Sequence, residues 1–239
     1  MIALMAPAPD EARTLPDLLV PGLDLVFVGI NPGERSAQRG HYYAHPGNAF
    51  WRVLSASPLV DLDVTPEDDA VLHEAPERGI GPFRIGLTDV VKRVLTDSTG
   101  ITDAELRESV PAFRVRIAAA QPRAVCFTTT RGFTANYPRA WRARAWGRQD
   151  VPPLEGAEVW VMPSPSGRAA AYHGETAEVL ADLAMSLRTA APDQTIPLPP
   201  STISPRTALR AGQGKGVELL GVEPPTAPGN RQHQKRASA

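Results

Sequence analysis

The chain has 239 residues, 42% of them hydrophobic, and a formal net charge of −1, which allows one good-sized core with length left over for an extension. Its single cysteine, Cys126, excludes a disulfide framework and a thiolate-ligated iron–sulfur cluster, and its position in a strand-like run reads as a small buried hydrophobe. No apolar stretch approaches the roughly 20 residues needed to span a bilayer, and the first ten residues have neither a basic start nor a long apolar run, so a soluble, non-secreted protein is expected, cytoplasmic or, in a eukaryote, nuclear.

Residues 1–20 read as an arm and an initial helix. A run from about 24 to 30 is apolar and partly β-branched, as in a buried strand, and Pro32-Gly33 ends it in a turn. Pro46-Gly47-Asn48 precedes a helix start, and residues 66–78 look helical and acidic. A second strand spans Ile85 to about Val91. Leu106, Val110, Phe113 and Ile117 at helical spacing predict a helix over 102–120 with Thr102 as its cap. Strands follow at 124–128 and 159–162, and 169–187 is an Ala-rich helix. Strands alternating with helices predict an α/β fold with a mostly parallel sheet covered on both faces.

The main domain is therefore expected over 21–190. Residues 191–239 carry eight Pro and a net charge of +3, and read as a Pro-rich basic tail that cannot bury enough apolar area to order itself. Between the third and fourth predicted strands, residues 131–148 hold Arg131, Arg139, Arg142, Arg144 and Arg148 with two Trp and no acid. Phosphate affinity comes from such local patches rather than from whole-chain charge, although a solvated face would have the same composition. The chain lacks the phosphate-binding and dinucleotide-binding glycine fingerprints.

Asn31 follows the first strand in Gly29-Ile30-Asn31-Pro32-Gly33, at the carboxyl edge where open α/β sheets bind ligands. Its amide can hold a water or read a base edge; it can equally well satisfy the turn backbone. Ala44-His45-Pro46-Gly47-Asn48-Ala49-Phe50-Trp51 comes next, and much later Pro163-Ser164-Pro165-Ser166-Gly167-Arg168. The three motifs in this order resemble the mismatch-specific uracil-DNA glycosylase family, to which thymine-DNA glycosylases also belong, over roughly residues 20–190. The resemblance implies a three-layer α/β/α fold with a four-stranded sheet. It also implies a monofunctional hydrolase that flips uracil from G·U or related mismatches in double-stranded DNA, as a monomer, without cofactor or metal. A catalytically weak DNA-lesion-binding module on the same scaffold is the alternative.

On that resemblance Asn31 corresponds to the catalytic Asn, holding the attacking water and contacting the base. Ile30, Ser36 and Tyr43 fall in the base pocket, with Tyr43 stacking on the flipped base; the residue types alone also suit a turn-capping hydroxyl and a packed ring. Tyr42 and His45 read as structural, and Asn48, which matches a family position, reads equally well as a helix cap. Ser166, Gly167 and Arg168 match the loop that wedges into the duplex, and Arg142 and Arg144 are the candidate phosphate contacts. Asp89 departs from the family, whose members carry Lys or Asn there. It should close the second strand beside Asn31, as a second catalytic group or as a cap or salt-bridge partner for Lys92 or Arg93.

Overall fold

The computed structural model describes residues 14–138 and 146–189, without the side chains of Arg168, Ala170 and His173. The predicted tail, most of the predicted arm, and Arg139, Arg142 and Arg144 lie outside the described residues.

Five strands form one sheet: β1 (Leu25–Gly29), β2 (Ile85–Asp89), β3 (Ala124–Phe127), β4 (Gly147–Arg148) and β5 (Glu158–Val161), in the order β2-β1-β3-β5-β4. All neighbours run parallel except β4, which is antiparallel to β5. The sheet is thus five-stranded rather than four-stranded. β4 is two residues long, too short for period-two alternation to reveal it.

The two faces of the sheet take alternate residues. Leu25, Phe27, Ile85, Leu87, Cys126 and Trp160 pack on one side against α2 (Phe50–Ser55) and α6 (His173–Thr189). Val26, Val28, Val125, Phe127, Val159 and Val161 pack on the other against α4 (Asp103–Ala120) and Phe133 of α5 (Thr130–Asn136). Every residue of β1 and β2 is buried; β1 reads as a continuous apolar run for that reason, and β2 ends in the buried polar pair Thr88 and Asp89.

The helix predicted over 102–120 forms with the expected cap, Thr102 Oγ1 accepting from Glu105 N at 3.1 Å. The segment predicted helical over 66–78 is instead a 3-10 helix over Pro66–Glu74 followed by α3 (Ala75–Arg78). Each stretch starts beside a proline, Pro66 and Pro76, whose missing N–H suits a first turn but not an interior. Likewise a 3-10 turn over Gly167–Tyr172 precedes α6. Two helices carry no apolar period and were not predicted: α1 (Glu34–Arg39), which buries only Ser36, and α5, a Thr-rich and Gly-containing turn.

The initial helix does not extend into residues 14–20. Leu18 instead makes an antiparallel bridge with Leu87, its N–H donating to Leu87 O at 2.9 Å and its carbonyl accepting from Leu87 N at 3.1 Å. This segment caps the free edge of β2 and buries Leu15 in the core. Gly86 permits the approach: a Cβ there would stand 2.8 Å from Leu18 O and 2.5 Å from Leu23 Cδ1. The Leu23 tip can swing away, but the Leu18 carbonyl cannot move without breaking the bridge. Gly86→Ala should therefore destabilise by about 1–3 kcal/mol, seen as a lower denaturant midpoint at unchanged slope; an unchanged midpoint would mean the segment is held elsewhere.

Candidate active site

Parallel register sets Gly29 of β1 directly beside Asp89 of β2. A Cβ on Gly29 would lie 2.1 Å from Asp89 Oδ1, so the glycine that ends the first apolar run makes room for a carboxylate. Asp89 is 3% exposed, and its Oδ2 is buried with no hydrogen-bond partner in the protein. Burial pushes its carboxyl up to about 7; Lys92 and Arg116 pull it down and Asp17 pushes it up.

Two residues past β1, Asn31 Nδ2 donates to Pro32 O at 3.0 Å and to Arg93 O at 3.2 Å. Both partners are carbonyls, so the amide can only point its nitrogen toward them. Its Oδ1 is left buried and unpartnered. The turn-satisfying and the ligand-facing readings of Asn31 thus both hold, one for each end of the amide. Leaving either acceptor buried without a donor costs free energy that a bound donor recovers.

The loop after α1 carries the aromatic platform. Tyr43 has φ +52°, a left-handed conformation that costs a non-glycine residue roughly 1–2 kcal/mol. A ring of hydrogen bonds holds it there. Asp69, 2% exposed, accepts Tyr42 N on Oδ2 at 2.8 Å and faces His41 Nδ1 with Oδ1 at 3.0 Å. Tyr42 O accepts from Trp51 Nε1 at 3.0 Å, and Ser36 Oγ accepts from Ala44 N at 3.1 Å. Ser36 therefore holds the loop, although it also lines the cavity. The Tyr43 ring stacks on Phe50, with centroids 4.0 Å apart and planes at 24°. Its hydroxyl is buried beside Thr128 and Asp89 with no well-aligned partner; burial, and then Asp89, push the phenol far above its ordinary range. Asp69 went unnoticed in the sequence because it sits among other acids in 61–78, and nothing local separates the one that is buried.

His45 Nδ1 accepts from Gly47 N at 3.0 Å and Asn48 Oδ1 from Phe50 N at 2.9 Å, so both shape the turn before α2. That turn braces the 163–167 loop: Ala49 N donates to Pro165 O at 2.8 Å, and a Cβ on Gly167 would lie 3.0 Å from Gly47 O. Ser166 and Gly167 reach the cavity rim, and Arg168 follows in the first 3-10 turn.

One cavity of about 680 Å³ runs along this edge of the sheet and gathers Ile30, Asn31, Ser36, Tyr43, Asp89, Ser166 and Gly167. Of the arginine run of 131–148, only Arg131 and Arg148 lie among the described residues, and neither lines this cavity. Arg131 donates to Ser98 O at 3.0 Å and pairs with Asp103 at 3.0 Å, and Arg148 pairs with Glu158 at 3.0 Å, so these two tie down structure. Among the described residues no group of three or more His, Cys, Asp or Glu is gathered to hold a metal ion, and no helix is long and apolar enough to cross a membrane. Chemically, two residues with unpartnered acceptors, one of them a carboxyl pushed up to about 7, line a cavity together with Tyr43. Such a set can hold a water and take its proton.

Residues 16–187 match the family model described as the Uracil DNA glycosylase superfamily. The chain is also similar to a solution NMR structure of a "putative Uracil DNA glycosylase" from Methanosarcina acetivorans, at 22% identity and a TM-score of 0.42, with 72% of this chain and 98% of that chain covered.

The raised Asp89 carboxyl carries a stability consequence. Its folded value lies above the unfolded one, so its contribution is present below about pH 4, the ordinary aspartate range, and is lost as pH rises through about 7. Asp89→Asn removes the buried charge. The variant should melt higher than the parent at pH 8, and the gap should shrink at pH 5. A gap independent of pH would show that the carboxyl is not shifted.

Proposed function

The chain belongs to the uracil DNA glycosylase superfamily, and from that premise we propose that it is a monofunctional, mismatch-directed uracil-DNA glycosylase. It extracts uracil from G·U pairs in double-stranded DNA and hydrolyses the bond between the base and C1′ of its sugar. One observation carries this reading: Asn31 and Asp89, whose Oδ1 and Oδ2 are buried and unpartnered, line the same cavity at the ends of adjacent strands.

The flipped base enters the cavity beside Tyr43, whose ring is already backed by Phe50. The N1–C1′ bond breaks with its electron pair leaving on the uracil, and the sugar gains oxocarbenium character. A water held by Asn31 Oδ1 and Asp89 adds to C1′ and gives its proton to Asp89. A neutral amide is too weak a base for that step, so Asn31 contributes position and Asp89 contributes basicity. With both Asn31 N–H groups committed to Pro32 O and Arg93 O, the amide serves as an acceptor and not as a donor to the base carbonyl. A carboxyl poised at about 7 suits a base working near neutral pH.

Ser166 and Gly167 bring the rim loop close, and Arg168 fills the vacated stack; Arg142 and Arg144 contact phosphates. The enzyme acts as a monomer, and these steps need no metal or cofactor. Asp89 puts an anionic group where the resembled family carries Lys or Asn, and its negative charge beside C1′ stabilises the oxocarbenium as the base departs, which favours bases that leave less readily than uracil.

Single-turnover excision on G·U duplexes tests the assignment. Asn31→Ala should lose most activity, and Asp89→Asn about tenfold or more, both with DNA affinity kept. Rates within about threefold of the parent for both, under roughly 0.7 kcal/mol of barrier, would sink it. Tight binding by the parent without cleavage of U, T or hypoxanthine opposite G, or of single-stranded U, would identify a lesion-binding module instead.

A further inference from the structure

Behind Asp89 lies a second set of charges that the chemistry above does not use. Asp17, in the segment that edges β2, accepts Thr88 Oγ1 at 2.6 Å and Lys92 Nζ at 2.9 Å on Oδ1, and its Oδ2 lies 2.9 Å from Arg116 Nε. Arg116, from α4, donates through Nη2 to Asp89 O at 2.7 Å and to Val90 O at 3.4 Å. Lys92 Nζ also donates to Tyr42 OH at 3.3 Å, and Lys92 O accepts from Thr14 Oγ1 at 3.1 Å. The cluster therefore joins the backbone of Asp89, its neighbour Thr88 and the loop that carries Tyr43.

The charges balance in only one state of Asp89. Lys92 and Arg116 supply two positives and Asp17 one negative, so the cluster is neutral when Asp89 is ionised and carries an excess positive charge when it is not. The elements around Asp89 present Lys92 from the loop after β2, Asp17 from the N-terminal segment, Arg116 from α4, and the phenols of Tyr42 and Tyr43 from the loop after α1. Both phenols are held in the neutral form by burial. β1 offers only Gly29.

We infer that Asp17, Lys92 and Arg116 are positioning residues that set the charge carried by Asp89, so that the N-terminal segment is part of the catalytic apparatus rather than a packed edge. The inference rests on the reading of Asp89 as the base. A tether would need the same hydrogen bonds, but it would not need the signs of the charges. Removing Asp17's negative charge makes ionised Asp89 easier to form, and removing Lys92's positive charge makes it harder.

The test is the acidic limb of the pH–rate profile for single-turnover excision from a G·U duplex. Its midpoint does not depend on how much of a preparation is folded. Asp17→Asn should move the midpoint to lower pH and Lys92→Met to higher pH, each by about half a unit or more. Asp17→Glu, which keeps the charge, should restore the parent midpoint. Asp89→Asn should abolish the limb. If Asp89→Asn abolishes the limb but Asp17→Asn and Lys92→Met leave it in place, or move it the same way, the cluster is a tether and this inference fails while Asp89 remains the base. If Asp89→Asn keeps the limb, the reading of Asp89 fails, and this inference with it.

Discussion

β1 and β2 run parallel and in register, and that places a carboxylate against a residue with no side chain. The rest of the site follows from this contact. Gly29 is glycine because Asp89 needs the volume, and Asp89 is buried because β1 covers it. A carboxylate this dry does not ionise at its ordinary pH. The molecule answers with two nearby cations, Lys92 and Arg116, and a third charge, Asp17, that holds them in place.

The opposite wall of the cavity is built on strain in the backbone rather than on charge. Tyr43 adopts a left-handed conformation that its neighbours impose. Asp69, Trp51 and Ser36 take the backbone groups on either side of it, so the loop gains hydrogen bonds where Tyr43 loses conformational ease. Phe50 then fixes the ring by stacking. The outcome is an aromatic ring that the fold itself fixes at the cavity wall.

Both walls trade stability for readiness. Unpartnered acceptors on Asn31 and Asp89 and the left-handed backbone of Tyr43 each cost free energy. They converge on one cavity, and the rest of the core is apolar and layered on the two faces of the sheet.

Much of this was legible in the residues. β1 and β3 announce themselves because buried parallel strands are apolar on both faces, and α4 because its apolar spacing and Thr102 cap agree. The neighbouring ends of β1 and β2, and with them the nearness of Asn31 and Asp89, follow from strand order and the motif. What local pattern cannot carry is which polar groups find each other across the fold. Asp69 and Asp17 look like any other acid in the chain, yet each is selected by a partner far away in sequence: the Tyr42 N–H for one, and Thr88, Lys92 and Arg116 for the other. β4, α1 and α5 were hidden for a related reason. They are short, and packing contacts rather than their own periodicity stabilise them. Local pattern and strand order were enough for the layered fold and for the meeting of Asn31 and Asp89 at one edge of the sheet. Tertiary structure alone decided how dry Asp89 is, which end of Asn31 is free and what holds Tyr43, because desolvation and charge pairing depend on distances that only the folded chain defines.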